Sequence, residues 1–456
     1  MLATLATAGV VVATACGRDG GEDGSSSGSS GASSSSGQLP SGSDAGIDPQ
    51  LQGCATDQKK AEALPLDLYV MFDSSGSMVQ QVAPNVSKYQ VVASAMNAFF
   101  GSPQSAGIGA GLQFFPLPPA GTPATCASDA DCPGTSGPCG KAFCLPNVGL
   151  VKWCNTKQDC SAGASCVPAG RCSIDRNVYC ANIGGTCDDD PNGFSRGTCE
   201  DQTGKFQCQN ANSCESADYA KAAVAIDALP GVAPALAAAL AAKRPEGSTP
   251  TSAALTGAVD HAKAFAAANA THTVAVVLVT DGLPSVCDQD IGNIAGIAAG
   301  ALASAKVRTY VVGIFAADQQ STAKTNLDQI ANGGGTGQAF IVSVGSKTEQ
   351  ELLDALNSIR KSALPCEYNV PKPASGIPDY GKVNVQHTTP TGNQSVFGYS
   401  KTAAACDPQG GGWYYDVDPE GGAAPTKIVL CPASCSAVKS AGGQVDVVLG
   451  CQTVVR

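Results

Sequence analysis

The stretch "VMFDSSGSMVQ", Val70 to Gln80, sets an apolar run directly against a carboxylate and a series of hydroxyls. Just upstream, "LPLDLYVMF" has the unbroken apolar pattern of a strand buried on both faces. Asp73, Ser75 and Ser77 therefore stand where that strand ends. Two explanations compete. The hydroxyls cap a strand-to-helix turn, or they form half of a metal site built from oxygen donors.

The flanking chain bears on the choice. "SKYQVVASAMNAFFG" carries apolar residues at helical spacing, and "GIGAGLQFFP" is a second strand. Further on, "AKAAVAIDAL" reads as a strand, "VAPALAAALAAK" and "TSAALTGAVDHAKAFAAA" as helices, and "HTVAVVLVTDG" as a strongly apolar strand. "IGNIAGIAAGALASAK" is a helix, "VRTYVVGIFA" and "AFIVSV" are strands, and "TEQELLDALNSIRK" is a closing amphipathic helix. The pattern predicts an α/β fold, a doubly wound, mostly parallel sheet covered on both faces, in two parts at 54–116 and 217–365. In open sheets of this kind ligands bind at the carboxyl ends of the strands. Asp281 ends "HTVAVVLVTDG" as Asp73 ends the first strand, and "GSTPTSAAL" puts Thr249 and Thr251 in a loop leading into a helix. Two carboxylates with three or four hydroxyls, and neither sulfur nor imidazole, suit a hard divalent cation, Mg²⁺ or Mn²⁺ ahead of Ca²⁺. A helix cap alone would not require Thr249 and Asp281. Thr251 is expected to cap or support rather than ligate.

"DSSGS", "GSTPT" and "VTDG" together resemble the metal-ion-dependent adhesion site of the von Willebrand factor type A family, whose fold is Rossmann-like. Its Asp-x-Ser-x-Ser motif is matched by Asp73, Ser75 and Ser77, its threonine by Thr249 and its last aspartate by Asp281. The resemblance runs from Leu64 to Ala363 with one interruption. It implies that Ser75, Ser77 and Thr249 reach the ion nearly directly, that Asp73 and Asp281 often act through water, and that a partner's carboxylate completes the shell.

The interruption, at 117–216, departs from the family. Of 21 cysteines, 13 fall between Cys126 and Cys214, a density that means disulfides in an oxidising compartment or clustered zinc. The spacings are mostly five or six and histidines number only 3, so disulfides are expected. "CASDADCPGTSGPCGKAFC" and "CNTKQDCSAGASCVPAGRC" match in register; a looser third set holds Cys180, Cys187, Cys199 and Cys208, with Cys214 left over. Cys214 is expected to pair with Cys287, Cys54 with Cys366, and Cys406, Cys431, Cys435 and Cys451 among themselves.

Residues 366–456 hold "KVNVQHTT", "GWYYDV", "TKIVLCP" and "QVDVVLGC" as strands and "SCSAVKSAG" as a helix, a small α+β or all-β domain. At the other end, "MLATLATAGVVVATAC" is a short apolar run ending in small residues, too short to span a bilayer. "ATAC" resembles a bacterial lipoprotein signal over 1–15, with Cys16 lipidated, and the alternative is an ordinary cleaved signal peptide. Removing Cys16 leaves an even 20 cysteines. The Gly/Ser-rich tract within 16–53 reads as a tether. An outer-membrane lipoprotein facing the periplasm or the surface is expected, or else a secreted protein.

A net charge of −11 argues against nucleic acid and anionic lipid as partners. Gly-x-Ser-x-Gly occurs only in the Gly/Ser-rich tract, Gly24 to Gly28, and within the cysteine-rich interruption, Gly193 to Gly197, not as an elbow between a strand and a helix. No phosphate-cradling loop is present either, so the chain is not expected to be an enzyme. Asp288, Asp290 and His261 read as solvated or packing residues, and "CDDDPNG" and "DVDPEGG" as turns lacking a full calcium-loop spacing. Two functions remain. One is metal-dependent capture of a carboxylate-bearing protein ligand. The other is a structural surface protein whose disulfide repeats make the contacts and whose metal site is vestigial.

Overall fold

The computed structural model describes residues 47–455 except 53–54, 62–63, 85, 134–135, 146–151, 176–177, 190–192, 210–211, 373–378, 390 and 442–443. The signal segment, Cys16 and most of the tether lie outside the described residues. Among the described residues, no helix is long and apolar enough to cross a membrane.

The central sheet has six strands: β1 (Leu66–Asp73), β2 (Gly109–Phe115), β3 (Val224–Ala228), β4 (Thr273–Thr280), β5 (Arg308–Phe315) and β6 (Phe340–Ser343). They lie in the order β3-β2-β1-β4-β5-β6, all parallel except β3, which runs antiparallel to β2. Alternate residues of each strand enter two separate cores. Leu68, Val70 and Phe72 join one core with α1 (Lys88–Phe100), α2 (Ala233–Ala242) and α6 (Thr348–Ala363). Tyr69 and Met71 join the other with α3 (Thr251–Ala268), α4 (Ile291–Ala305) and α5 (Gln320–Gly333). This two-sided burial explains the unbroken apolar runs of β1 and β4.

Helix α5 was not anticipated. Its segment is polar, and only Ala323, Leu327, Ile330 and Ala331 turn inward. Four small or aliphatic residues at i, i+4, i+7 and i+8 make a stripe too narrow to stand out in sequence, though wide enough to cover one flank of the core.

The insertion leaves and rejoins the sheet at one point, where Ser213 N–H donates to Leu117 O at 2.8 Å. Its pairings are Cys126–Cys139, Cys154–Cys166 and Cys180–Cys199 within units, and Cys144–Cys160 and Cys172–Cys187 between successive units. Cys132–Cys208 then joins the first unit to the third, so three four-cysteine units close into a ring. Each unit's fourth cysteine pairs with the second of the next. The first two units share a further device: Asp131 and Asp159 each accept from two backbone N–H groups at the start of their own loop.

Cys214 pairs with Cys287 as expected, and Cys406 with Cys431. Cys366 pairs with Cys435, which corrects both the expected bracket from Cys54, itself outside the described residues, and the closed set of C-terminal cysteines. A domain boundary also moves. Strand Asp57–Lys60 pairs antiparallel with Gln444–Leu449, and Leu51 packs on Val448 and Cys451. Residues 47–52 and 55–61 therefore pair or pack with the C-terminal sheet rather than with the tether or the α/β domain. That sheet needed an edge partner, which a short polar strand, "DQKK", supplies without any apolar signal in sequence.

Candidate metal centre

The strand order places β1 beside β4, and from that pair the chain winds outward in opposite directions. This is the topological switch point, where a crevice opens at the carboxyl ends of the strands. Val279 of β4 stands opposite Phe72 of β1, so Asp73 and Asp281 leave the sheet side by side.

The five expected residues come together there. Asp73 is fully buried; its Oδ1 accepts from Ser75 N–H at 2.8 Å and its Oδ2 from the Thr280 hydroxyl at 2.6 Å. Ser75 Oγ lies 3.0 Å from Ser77 Oγ, and Ser77 Oγ donates to Asp281 Oδ1 at 2.6 Å. Ser75, Thr249 and Asp281 are buried, and Ser77 is half-buried. Thr249 approaches from the loop before α3. A methyl added at Gly282 would lie 3.4 Å from Thr249 Oγ1 and 3.8 Å from Ser77 Oγ, so glycine keeps a small space open between these hydroxyls.

Backbone bonds strap the three loops together. Gly76 N–H donates to Gly247 O at 2.9 Å and Glu246 N–H to Ser74 O at 2.8 Å. Thr249 N–H donates to Ser285 Oγ at 2.9 Å, and Ser285 N–H to Thr249 O at 3.1 Å. The insertion is tied in as well. The Asn212 side chain accepts from Ser248 N–H, Gln81 donates to Ser195 O, and Cys214–Cys287 fastens the insertion's exit to the loop after Asp281.

Two neighbours escaped sequence reasoning. Thr280 was read only as part of a strand, yet its hydroxyl serves Asp73. Lys88, at the first turn of α1, places Nζ 3.0 Å from Asp281 Oδ2, with side chains only 4% and 0% exposed. A polar residue opening an amphipathic helix gives no sign of facing inward. Burial first, and the neighbouring Asp281 charge second, push the Asp73 carboxyl up to about 7, against the pull of its hydrogen bonds from Ser75 and Thr280.

The donor chemistry fits a hard divalent cation. All five groups offer oxygen, the site has a space that a single methyl would occupy, and Thr251 Oγ1 is buried without a partner at the start of α3. Thr251 does not cap α3, contrary to one of the roles expected of it. Asp288 and Asp290 stand outside the cluster: Asp290 caps α4 and Asp288 accepts from Asp290 N–H and the Asn293 amide. His261 stacks on Tyr69 with ring centroids 4.1 Å apart, a packing role. Asp416 accepts the N–H groups of Thr426 and Lys427, and Asp418 caps a short turn, while "CDDDPNG" falls partly outside the described residues. The cysteine clusters are consumed in disulfides.

No protein-family model matches the chain, and no curated protein matches it in sequence. Among solved structures, it is similar to the pilus adhesin SpaC from Lactobacillus rhamnosus GG, at 12% identity over 85% of this chain and 39% of that one, with a TM-score of 0.35. The pilus adhesin RrgA from Streptococcus pneumoniae matches at 10% identity over 88% of this chain and 58% of that one, TM-score 0.30. A manganese-loaded Plasmodium vivax TRAP protein matches at 11% identity over 56% of this chain and 60% of that one, TM-score 0.23. Scores this low bear on neither fold nor function. The chain spans less than two thirds of each of these proteins.

Proposed function

We propose that the chain is a surface or periplasmic binding protein with a doubly wound domain of the von Willebrand factor type A kind, tethered through Cys16. It holds Mg²⁺ or Mn²⁺ at Asp73, Ser75, Ser77, Thr249 and Asp281 and captures a protein ligand that offers a carboxylate. The observation that supports this most is the bond from Ser77 to Asp281. It joins residues 204 positions apart at the switch point, within one network of oxygen donors. The bound cation supplies the electrophilic centre to which a carboxylate adds. Asp73 and Asp281 supply the charge that attracts it, the hydroxyls complete the donor set, and the strapped loops hold those groups in place without rearrangement. The dense disulfides of the insertion suit an oxidising compartment.

A second reading, a metal-free scaffold whose contacts come from the insertion, draws on Lys88, which already neutralises Asp281. Calorimetric titration of Mn²⁺ into the oxidised protein separates the two. Binding that disappears in Asp73→Ala and Asp281→Ala, with circular dichroism unchanged, is the expected result. No binding to the wild-type protein, or binding that survives both substitutions, would end the proposal.

A further inference from the structure

Lys88 occupies an unfavourable position twice over. Its ammonium is buried, and it sits on the first residue of α1, where the N–H groups have no partner within the helix and carry positive partial charge. The apolar stripe of α1 does not require it inside; Tyr89, Val92, Met96 and Phe99 supply that face. Its direction is nevertheless fixed. Ser87 and Gln90 form a capping box that sets where α1 begins, and Lys88 N–H donates to Gln80 O at 2.8 Å. Among the described residues, the only carboxylate it pairs with is that of Asp281, at 3.0 Å.

We infer that Lys88 sets the affinity and ligand preference of the metal centre, an inference that rests on the function proposed above. Its charge shares Asp281 with the divalent cation. In the empty site the ammonium offsets one unit of the negative charge that Asp73 and Asp281 can offer a cation. Cation binding is weaker for it, because like charges repel across a short, poorly screened distance. The loaded site, in turn, gains one positive charge, to which a carboxylate ligand responds. Lys88 thus moves binding energy from the cation to the anion that follows, and cation retention comes to depend on the ligand.

The test uses the full oxidised chain with Lys88→Met, Lys88→Gln and Lys88→Arg, and Mn²⁺ alone as probe. Gln retains a donor for Asp281 without the charge, and Arg retains the charge. Calorimetry should show Mn²⁺ bound at least about tenfold more tightly by the Met and Gln forms, with Arg near wild type. In EDTA the Met and Gln forms should melt below wild type, and Mn²⁺ should raise their melting temperature more than it raises that of wild type. Binding seen only in the Met and Gln forms would end the function proposed above, and the inference with it. Equal or weaker Mn²⁺ affinity in both overturns the role of Lys88 while leaving the metal centre standing. No Mn²⁺ binding by any of the four proteins overturns both.

Discussion

Cutting the Cys214–Cys287 staple is the most direct way to ask whether the insertion supports the site. The disulfide closes a loop of 73 residues that contains β3, α2, α3, β4 and Asp281. Chain entropy for a loop of that length puts its contribution near 4 kcal/mol at 25 °C. Part is offset in the native state. Cys287 has a φ of 64°, a left-handed conformation that costs a non-glycine residue about 1 kcal/mol, and a freed loop can relax from it. The net loss on replacing both cysteines by alanine is then about 3 kcal/mol. Urea unfolding followed by far-ultraviolet circular dichroism reports on the right domain, since α1 to α6 are six of the seven described helices of ten residues or more. The Cys214→Ala/Cys287→Gly form should lie within about 1 kcal/mol of the double alanine form, because the freed loop has already relaxed from the positive φ that glycine adopts freely. Mn²⁺ binding should weaken in both, as Ser285 lies two residues from Cys287 and holds Thr249 through two hydrogen bonds. A loss below about 1 kcal/mol with unchanged Mn²⁺ affinity would refute the claim that the staple supports the site.

Two glycines give further predictions. Gly282→Ala places a methyl 3.4 Å from Thr249 Oγ1, ordinary contact on a backbone without positive φ, so stability should change by less than about 1 kcal/mol. Mn²⁺ affinity in calorimetry should fall more than about tenfold, because the methyl fills the space between the hydroxyls; wild-type affinity would show that this space is not where the cation sits. Gly257→Ala has the opposite profile. Its methyl would meet Ser216 O and Tyr219 Cβ, each at 2.5 Å, so despite better helix propensity urea unfolding should show a loss of about 1–2 kcal/mol.

What the sequence disclosed, and what it withheld, follows from the range of each interaction. The strands of the central sheet were legible because both faces of β1 and β4 are buried, which leaves a run of apolar residues with no gap. The donors of the site were legible because Asp73, Ser75 and Ser77 lie within one turn, and because Thr249 and Asp281 each sit at a strand or helix end whose pattern is local. Lys88 was not, since its meaning depends entirely on Asp281, 193 positions away, and a lysine at the start of an amphipathic helix has no reason of its own to turn inward. The cysteine ring lies between these cases. Repeated spacing revealed the units, but three self-contained units and three linked ones share that spacing, and only the pairings between units, Cys144–Cys160, Cys172–Cys187 and Cys132–Cys208, tell them apart. The ring also explains why Cys214 fell outside the count of four per unit. It belongs to the junction, where it fastens the exit of the insertion to the loop carrying Asp281 and so joins the disulfide module to the candidate metal centre through a covalent bond.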